Sequence, residues 1–172
     1  MSGLGGALAL LRADAARWDD LYGVDYGVRW NFIRRREFRN LAYHRLRHSG
    51  RVGRAAAVAL AVVFRPEMTL FLDTREIGPG FFIQHGFATI VAAERIGRNC
   101  WVNQQVTIGH EASGSPVLED DVKVYAGAIV TGKLTMGAGS RAAAGAVVRT
   151  DVPADTTVGG VPARPVSPRP EH

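Results

Sequence analysis

The stretch IGRNCWVNQQVTIG at positions 96–109 decides the fold, because an aliphatic residue returns in it every six positions. After a short insertion the same period resumes in LEDDVKVYAGAIVTGKLTMGAGSRAAAGAVV at positions 118–148. The lead positions of these hexads are Ile96, Val102, Ile108, Leu118, Val124, Val130, Met136, Ala142 and Val148. In a helix, at about 100° per residue, successive lead side chains would sit roughly 120° apart and share no face. The period therefore predicts short strands joined by a turn in every hexad.

A second position of each hexad supports this interpretation. The fourth residue after the lead is again small or apolar, as in Cys100, Val106, Val122, Ala128, Leu134, Ser140 and Ala146. Glycine follows several leads, at Gly97, Gly109 and Gly137, and we expect bends with positive φ there. Stacked coils that bury their interior only against their neighbours form a parallel β-helix. The period alone does not determine the hand of that helix.

Composition and cysteine content set further bounds. At 172 residues and 47% hydrophobic content, the chain fits one compact domain with a helical appendage. The single cysteine, Cys100, cannot form an internal disulfide and is most simply a small core residue. No secretory signal is evident, so we expect a cytoplasmic location.

The positive charge is concentrated near the amino terminus. The formal net charge is +5, and nine arginines fall between Arg29 and Arg54. This excess suggests an anionic partner, such as nucleic acid, a membrane surface or a phosphate-bearing cofactor. Because neither aromatic platforms nor a known nucleic-acid module accompanies it, we predict no nucleic-acid partner.

Residues 1–66 are predicted to form a helical region. Apolar residues at helical spacing predict a first helix over 4–22 that ends near Gly23. A second helix is expected to begin at Asn31 as N-cap, to run to about Gly50, and to carry its arginines, with His44 and His48, on its surface. The apolar run at 55–64 is too short to cross a bilayer, which needs roughly 20 residues. It indicates a buried helix, or alternatively one that lies on a membrane surface.

The remaining chain divides into two segments. Residues 67–152 are predicted to form the β-helix, since short apolar segments separated by glycine begin near Met68. Residues 153–172 are expected to be a C-terminal extension, because prolines end the repeat there. The last residues, SPRPEH, are expected to fray.

Three motifs carry a family resemblance. They are IQHG around His85, VTIGH at 106–110, and the closing AAAGAVVRTDVP with VGGVPARPV. Together they resemble the serine acetyltransferases and the smaller sugar and polysaccharide O-acetyltransferases of the hexapeptide-repeat family. The resemblance implies a mainly β fold, a left-handed parallel β-helix preceded by a small α-helical region. It also implies a homotrimer that uses acetyl-CoA as co-substrate.

The resemblance assigns His85 as the catalytic general base. A neutral imidazole can take the proton of a hydroxyl as its oxygen attacks the thioester carbonyl, so no covalent enzyme intermediate is needed. His110, which opens the insertion between Ile108 and Leu118, is a second catalytic candidate, because loops that interrupt a scaffold often carry binding residues. The alternative for each histidine is an ordinary structural or exposed side chain.

Coenzyme A binding is assigned by the same resemblance. Gly109, Ala126 and Ala144 are small residues where the pantetheine arm would pass, although small residues also suit tight turns. Arg149 and Arg164 would meet the phosphates, since arginine can hold phosphate bidentately. No metal site is predicted.

Several groups that would hold a zwitterionic amino acid in the serine enzymes are replaced in this sequence. Leu70 stands where the serine enzymes have an aspartate that orients the histidine, Gln84 replaces a carboxylate, and Ser115 replaces a histidine before Pro116. We therefore expect the acceptor to be a sugar or surface-polysaccharide precursor, with serine O-acetylation as the alternative.

Two hypotheses come from other functional classes. A zinc hydratase on the same scaffold needs three histidines, and the repeat region holds only His85 and His110. A non-catalytic protein whose arginine-rich helix binds an anionic partner stays open. Peripheral membrane association is a further possibility for the helical region.

Overall fold

The computed structural model describes residues 3–166, which form four helices followed by short strands. The helices are α1 (Leu4–Tyr22), α2 (Gly27–Arg34), α3 (Arg36–Arg47) and α4 (Arg51–Val63). The strands are β1 (Leu70–Leu72), β2 (Glu76–Ile77), β3 (Phe82–Ile83), β4 (Thr89–Val91), β5 (Arg95–Ile96), β6 (Trp101–Val102), β7 (Thr107–Gly109), β8 (Val117–Leu118), β9 (Lys123–Val124), β10 (Ile129–Thr131), β11 (Thr135–Met136), β12 (Arg141–Ala142), β13 (Val147–Val148), β14 (Thr157–Gly159) and β15 (Arg164–Pro165).

The strands form three sheets, and from β1 to β13 the chain passes through them in rotation. Sheet A has the order β1-β4-β7-β10-β13, sheet B the order β11-β8-β5-β2, and sheet C the order β15-β14-β12-β9-β6-β3. Within the described residues, all neighbouring strands from β1 through β14 pair in parallel, and the pair of β14 with β15 is antiparallel. Three strands and three turns per coil make a triangular parallel β-helix, which confirms the prediction.

The hexad positions fill the interior of this β-helix. All nine lead residues from Ile96 to Val148 are at most 2% exposed, and the seven residues four positions after a lead are at most 4% exposed. In sheet C the register aligns Val102 with Val124 and Val124 with Ala142, so that inward side chains stack from coil to coil. Cys100 lies in this core as predicted, and burial raises the pKa of its thiol to about 12.

The prediction of positive φ at the glycines after the leads is wrong. Positive φ occurs two residues later instead, at Asn99 (54°) and Gly139 (69°). Gly97 is needed for a different reason, since a Cβ there would lie 2.5 Å from Asp120 Oδ1 and 2.7 Å from the Asp120 nitrogen in the next coil. Gly137 is likewise close to the following coil. The small residue allows close stacking of coils, not an unusual backbone conformation.

The predicted first helix is confirmed, and the second is wrong in its start and continuity. α1 ends at Tyr22 with Gly23 in the left-handed conformation. In place of one helix from Asn31 there are two, because Arg35 is extended (φ −118°, ψ 117°) between α2 and α3. Asn31 lies inside α2, fully buried, where its amide donates to Asp19 Oδ1 at 2.7 Å. The amide nitrogen of Asn31 is therefore bound by a tertiary partner, and the residue caps no helix.

Side chains of α3 cover the open backbone of the first coil. Asn40 Nδ2 donates to the Leu70 carbonyl at 3.0 Å, and His44 Nε2 lies 2.7 Å from the Thr74 carbonyl oxygen. Arg45 donates to the carbonyl oxygens of Ile77 and, at 2.7 Å, of Gly78. The expected surface position of His44 and Arg45 is therefore wrong, since each residue is only 5% exposed, whereas His48 is exposed as predicted.

α1 completes the same cap. Asp14 pairs with Arg45 at 3.1 Å and accepts the Gly80 N–H at 2.8 Å. Trp18 Nε1 donates to the Phe81 carbonyl at 2.8 Å. The end of a solenoid exposes backbone groups that need partners, and here the helical region supplies them.

The prediction of a buried helix at 55–64 is wrong for most of its surface. α4 begins earlier, at Arg51, and buries only Gly53 and Ala57. Val58 and Val62 are exposed. Within residues 3–166 no helix is both long and apolar enough to cross a bilayer.

The parallel sheet continues beyond residue 152, into the segment predicted as an extension. β14 pairs with β12, and the Val152 backbone forms an isolated parallel bridge with Met136. The predicted frayed tail, SPRPEH, lies outside the described residues.

Candidate active site

Two edges of the triangular β-helix hold the residues predicted to act. The His85 edge joins sheet C to sheet A and comprises residues 84–86, 103–105, 125–127 and 143–145. The His110 edge joins sheet A to sheet B and comprises residues 92–94, 109–116, 132–134 and 149–151. Sheet A separates the two edges, so the chain itself does not bring the two predicted histidines together.

His85 is exposed on its edge and has an unusual backbone conformation. Its φ of 54° lies in the left-handed region, which residues other than glycine seldom occupy and which is found often at functional sites. Among residues 3–166 its ring has no hydrogen-bond partner. The preceding side chain is held, because Asn103 Nδ2 donates to Gln84 Oε1 at 2.9 Å. An exposed imidazole on a rigid corner can exchange a proton with a bound hydroxyl.

The predicted small residues follow His85 along the same edge. Ala126 and Ala144 occupy equivalent corners two and three coils away, and the Gly145 N–H donates to the Ala126 carbonyl at 2.9 Å. Ala126 is half-buried and Ala144 is exposed. Arg164 lies beyond them, opposite Gly159 in the pairing of β14 with β15, and is exposed. Along this edge His85 is therefore followed by Gln104, at the equivalent corner of the next coil, and then by the two alanines, and Arg164 lies beyond the last of these corners.

The other three predicted residues lie on the His110 edge. Gly109 ends β7, and a Cβ there would have no neighbour closer than 3.8 Å. His110 is exposed at the start of the insertion. Arg149 Nη2 contacts Glu111 Oε2 at 3.3 Å, so within one chain its charge is partly neutralised.

The insertion after His110 is ordered by the coils below it. Glu111 and Gly114 exchange two backbone hydrogen bonds of 3.0 Å. Thr131 Oγ1 donates to Glu111 Oε1 at 2.8 Å, and this bond, followed by Arg149, lowers the pKa of the Glu111 carboxyl. Ser113 accepts the Lys133 N–H at 3.2 Å. The insertion is therefore held against the neighbouring coil by these hydrogen bonds.

Comparison with known proteins finds serine acetyltransferases. No protein-family model matches the chain. The serine acetyltransferase of Bacillus licheniformis is 35% identical over 134 residues, which are 72% of this chain and 61% of the relative. That of Synechococcus elongatus is 41% identical over 93 residues, 51% of this chain and 38% of the relative. The chain thus spans about two fifths to three fifths of these relatives.

Solved structures agree over nearly the whole chain. Serine acetyltransferase from Brucella abortus superimposes with a TM-score of 0.72 at 26% identity, covering 92% of this chain and 67% of that one. The soybean enzyme gives 0.71 at 27% identity, covering 93% and 69%. The chain therefore has the fold of the serine acetyltransferases and is similar to them in sequence, in agreement with the predicted resemblance to hexapeptide-repeat acetyltransferases. The left hand of the β-helix, which the period left open, is the hand that this resemblance predicts.

The family's orienting aspartate has no equivalent in the first coil. Leu70, at the corresponding position, is buried in sheet A and packs toward Gly86. Asp73, three residues later, is exposed beyond the end of β1. Ser115, which replaces a histidine of the family, is half-buried in the insertion.

One charged residue beside His85 was missed by the sequence analysis. A Cβ on Gly86 would lie 3.2 Å from Glu37 Cγ, so the first turn of α3 contacts the segment that carries the histidine. Neither spacing nor motif indicates this, because 48 positions separate Glu37 from His85. Within residues 3–166 there is no cluster of three or more histidine, cysteine, aspartate or glutamate side chains that could hold a metal ion.

Proposed function

We propose that the protein is an acetyl-CoA-dependent O-acetyltransferase that acetylates the hydroxyl of L-serine or a close amino-acid analogue. The observation that carries this proposal is the order of residues on the His85 edge: an exposed histidine, the small residues Ala126 and Ala144, and Arg164. The serine acetyltransferases found by comparison support the serine acceptor more than the saccharide acceptor predicted from the sequence.

In the proposed reaction His85 acts as general base. The acceptor oxygen attacks the thioester carbonyl while the imidazole takes its proton, and collapse of the tetrahedral species breaks the C–S bond. The proton held by the imidazole then passes to the departing thiolate, so the products are the acetyl ester and free coenzyme A thiol. Histidine suits both steps, because its ordinary pKa near 6.5 lets it accept and return a proton near neutral pH.

The geometry of the His85 edge fits a long, phosphate-bearing co-substrate. Adjacent strands are about 4.8 Å apart, so the five strand steps from β3, beside His85, to β15, which carries Arg164, span roughly 24 Å. An extended coenzyme A molecule would follow this side of the β-helix, with its thioester at His85 and its phosphates toward Arg164. Larger side chains at Ala126 or Ala144 would obstruct this path.

A complete site requires a neighbouring chain in this proposal. Sheet A carries an outward apolar row that includes Phe71, Ile90 and Ile129, which are 58%, 44% and 37% exposed. Three copies arranged head to tail around an axis would cover this row and place the His85 edge of one chain beside the His110 edge of the next. The homotrimer would thus bring His85, His110, Gly109 and Arg149 to one site.

The test is an acceptor panel in which release of coenzyme A thiol is measured. We expect turnover with L-serine that exceeds turnover with nucleotide sugars and oligosaccharides, and a loss of at least about 100-fold in His85→Ala. His48→Ala, which changes an exposed histidine of α3, is the matched control and should retain activity. Full turnover in His85→Ala would remove His85 from the role of base, and turnover with saccharides alone would replace the acceptor.

Two further expectations stay predictions. The first is a cytoplasmic location. Peripheral membrane association would use the exposed valines of α4, such as Val58 and Val62, together with Arg51 and Arg54. Cosedimentation with anionic vesicles, compared between the wild-type protein and Val58→Asp, measures it.

A further inference from the structure

Glu37 lies on α3 beside Gly86, the residue that follows the candidate base, and it forms no ion pair within residues 3–166. It is half-buried in the first turn of α3, and its Cγ lies 3.2 Å from the Cβ position that Gly86 lacks. Leu70 Cδ2 lies 3.0 Å from that same position. The helix therefore presents Glu37 at the place in the fold where the family's aspartate is replaced by leucine.

Arg35 supplies the opposite charge two residues earlier. Its guanidinium carbon lies 3.5 Å from the centroid of the Tyr22 ring, and its Nε is buried without a hydrogen-bond partner among residues 3–166. Tyr22 in turn packs edge-on against Phe82, with ring centroids 5.5 Å apart. Phe82 precedes His85 by three residues, so this cluster lies against the same coil.

The charges of Arg35 and Glu37 act in opposite directions on the pKa of Tyr22. Burial raises the pKa of the Tyr22 phenol, Arg35 opposes that rise, and the negative charge of Glu37 adds to it. Although both charges act on one phenol, Arg35 and Glu37 do not pair with each other within 4.0 Å. A partly buried charge without a counter-charge is unfavourable, so such an arrangement suits a ligand that brings both charges.

We propose that Glu37 and Arg35 bind the acceptor, with Glu37 holding an ammonium group and Arg35 a carboxylate. This inference rests on the proposed function and specifies the acceptor as a zwitterionic hydroxy-amino acid. A neutral saccharide carries neither charge and would leave both groups desolvated without compensation. The helical region thereby provides one carboxylate, that of Glu37, near Leu70, which stands in place of the family's aspartate.

Binding is measured by calorimetric titration, which does not depend on turnover. The probes are L-serine, ethanolamine, which has only the ammonium group, and 3-hydroxypropionate, which has only the carboxylate. Loss of one charge-assisted contact should weaken binding about 10- to 100-fold. We expect Glu37→Gln to weaken L-serine and ethanolamine binding by that factor and to leave 3-hydroxypropionate nearly unchanged, and Arg35→Gln to show the reverse selectivity.

Controls separate this role from a structural one. Glu76→Gln removes an exposed carboxylate from sheet B and should bind L-serine as the wild-type protein does. Arg35→Lys keeps the charge and should restore part of the affinity that Arg35→Gln loses. Thermal unfolding of each variant verifies that it is folded. A uniform loss of affinity for all three probes would indicate distortion of the site and would overturn the inference.

The outcomes distinguish this inference from the proposed function. If the wild-type protein binds L-serine through Glu37 but releases no coenzyme A thiol, the proposed binding role of Glu37 and Arg35 stands and the acetyltransferase proposal fails. If the wild-type protein and Glu37→Gln bind and acetylate L-serine equally well, the acetyltransferase proposal stands and the proposed binding role of Glu37 and Arg35 is refuted. Preference of the wild-type protein for a neutral saccharide also refutes the binding role of Glu37 and Arg35.

Discussion

Substituting Arg45 with methionine should destabilise the protein strongly, because it breaks the polar contact that joins both capping helices to the first coil. The Arg45 side chain is 3% exposed and that of Asp14 is 0% exposed. Methionine removes two donors to the Asp14 carboxylate and the donors to the carbonyls of Ile77 and Gly78. Asp14 would retain the Gly80 N–H at 2.8 Å. Removing one partner of a buried pair costs about 3–5 kcal/mol, or roughly 6–20 °C in Tm for a domain of this size.

A double-mutant cycle with denaturant unfolding measures the coupling. We expect Arg45→Met to lose about 3–5 kcal/mol and Asp14→Leu/Arg45→Met to lose less, since the second change removes the uncompensated carboxylate. Arg98→Met, which breaks the exposed Arg98–Asp120 pair, is the matched control and should cost at most about 1 kcal/mol. The reasoning is refuted if Arg45→Met costs no more than Arg98→Met, or if the double variant loses the sum of the single losses.

Three other predictions concern stability and reactivity. Burial, followed by the neighbouring His48, lowers the pKa of His44 to about 4, so the unfolded state binds the proton more readily than the folded state. Between about pH 8 and about pH 5 the free energy of unfolding of the wild-type protein should therefore fall by about 2 kcal/mol more than that of His44→Gln. Equal decreases for the two proteins in urea unfolding would contradict this. Gly97→Ala should lower the free energy of unfolding by about 1–3 kcal/mol, because the new Cβ would lie 2.5 Å from Asp120 Oδ1. Gly109→Ala is the control and should melt at the temperature of the wild-type protein. Equal melting temperatures for the two variants would contradict the argument that Gly97 allows close stacking of coils. Cys100 should resist maleimide until the protein unfolds, because its thiol is fully buried with its pKa raised to about 12, and labelling of the native protein within minutes would disprove it.

The β-helix could be predicted from the sequence because its information is local. The spacing of apolar residues within each hexad indicates which side chain points inward, and the same spacing recurs in the neighbouring coils. Ile96 and Val148 are therefore buried for the same reason. The first helix was equally readable, since its apolar spacing and Gly23 lie within one continuous segment. The misplaced start at Asn31 shows the limit: its amide is satisfied by Asp19, and that tertiary contact decides its position.

The candidate site divides along the same line. The sequence by itself determined the repeat, the buried hexad positions and, through its motifs, the candidacy of His85 and Arg164, because these are properties of contiguous stretches. Only the tertiary structure decided that His85 shares an edge with Ala126 and Ala144, that His110 lies on another edge, and that Glu37 contacts Gly86. The physical reason is that a solenoid repeats one local rule along its length, whereas its helical cap touches the first coil through single side chains whose positions depend on packing across the whole chain.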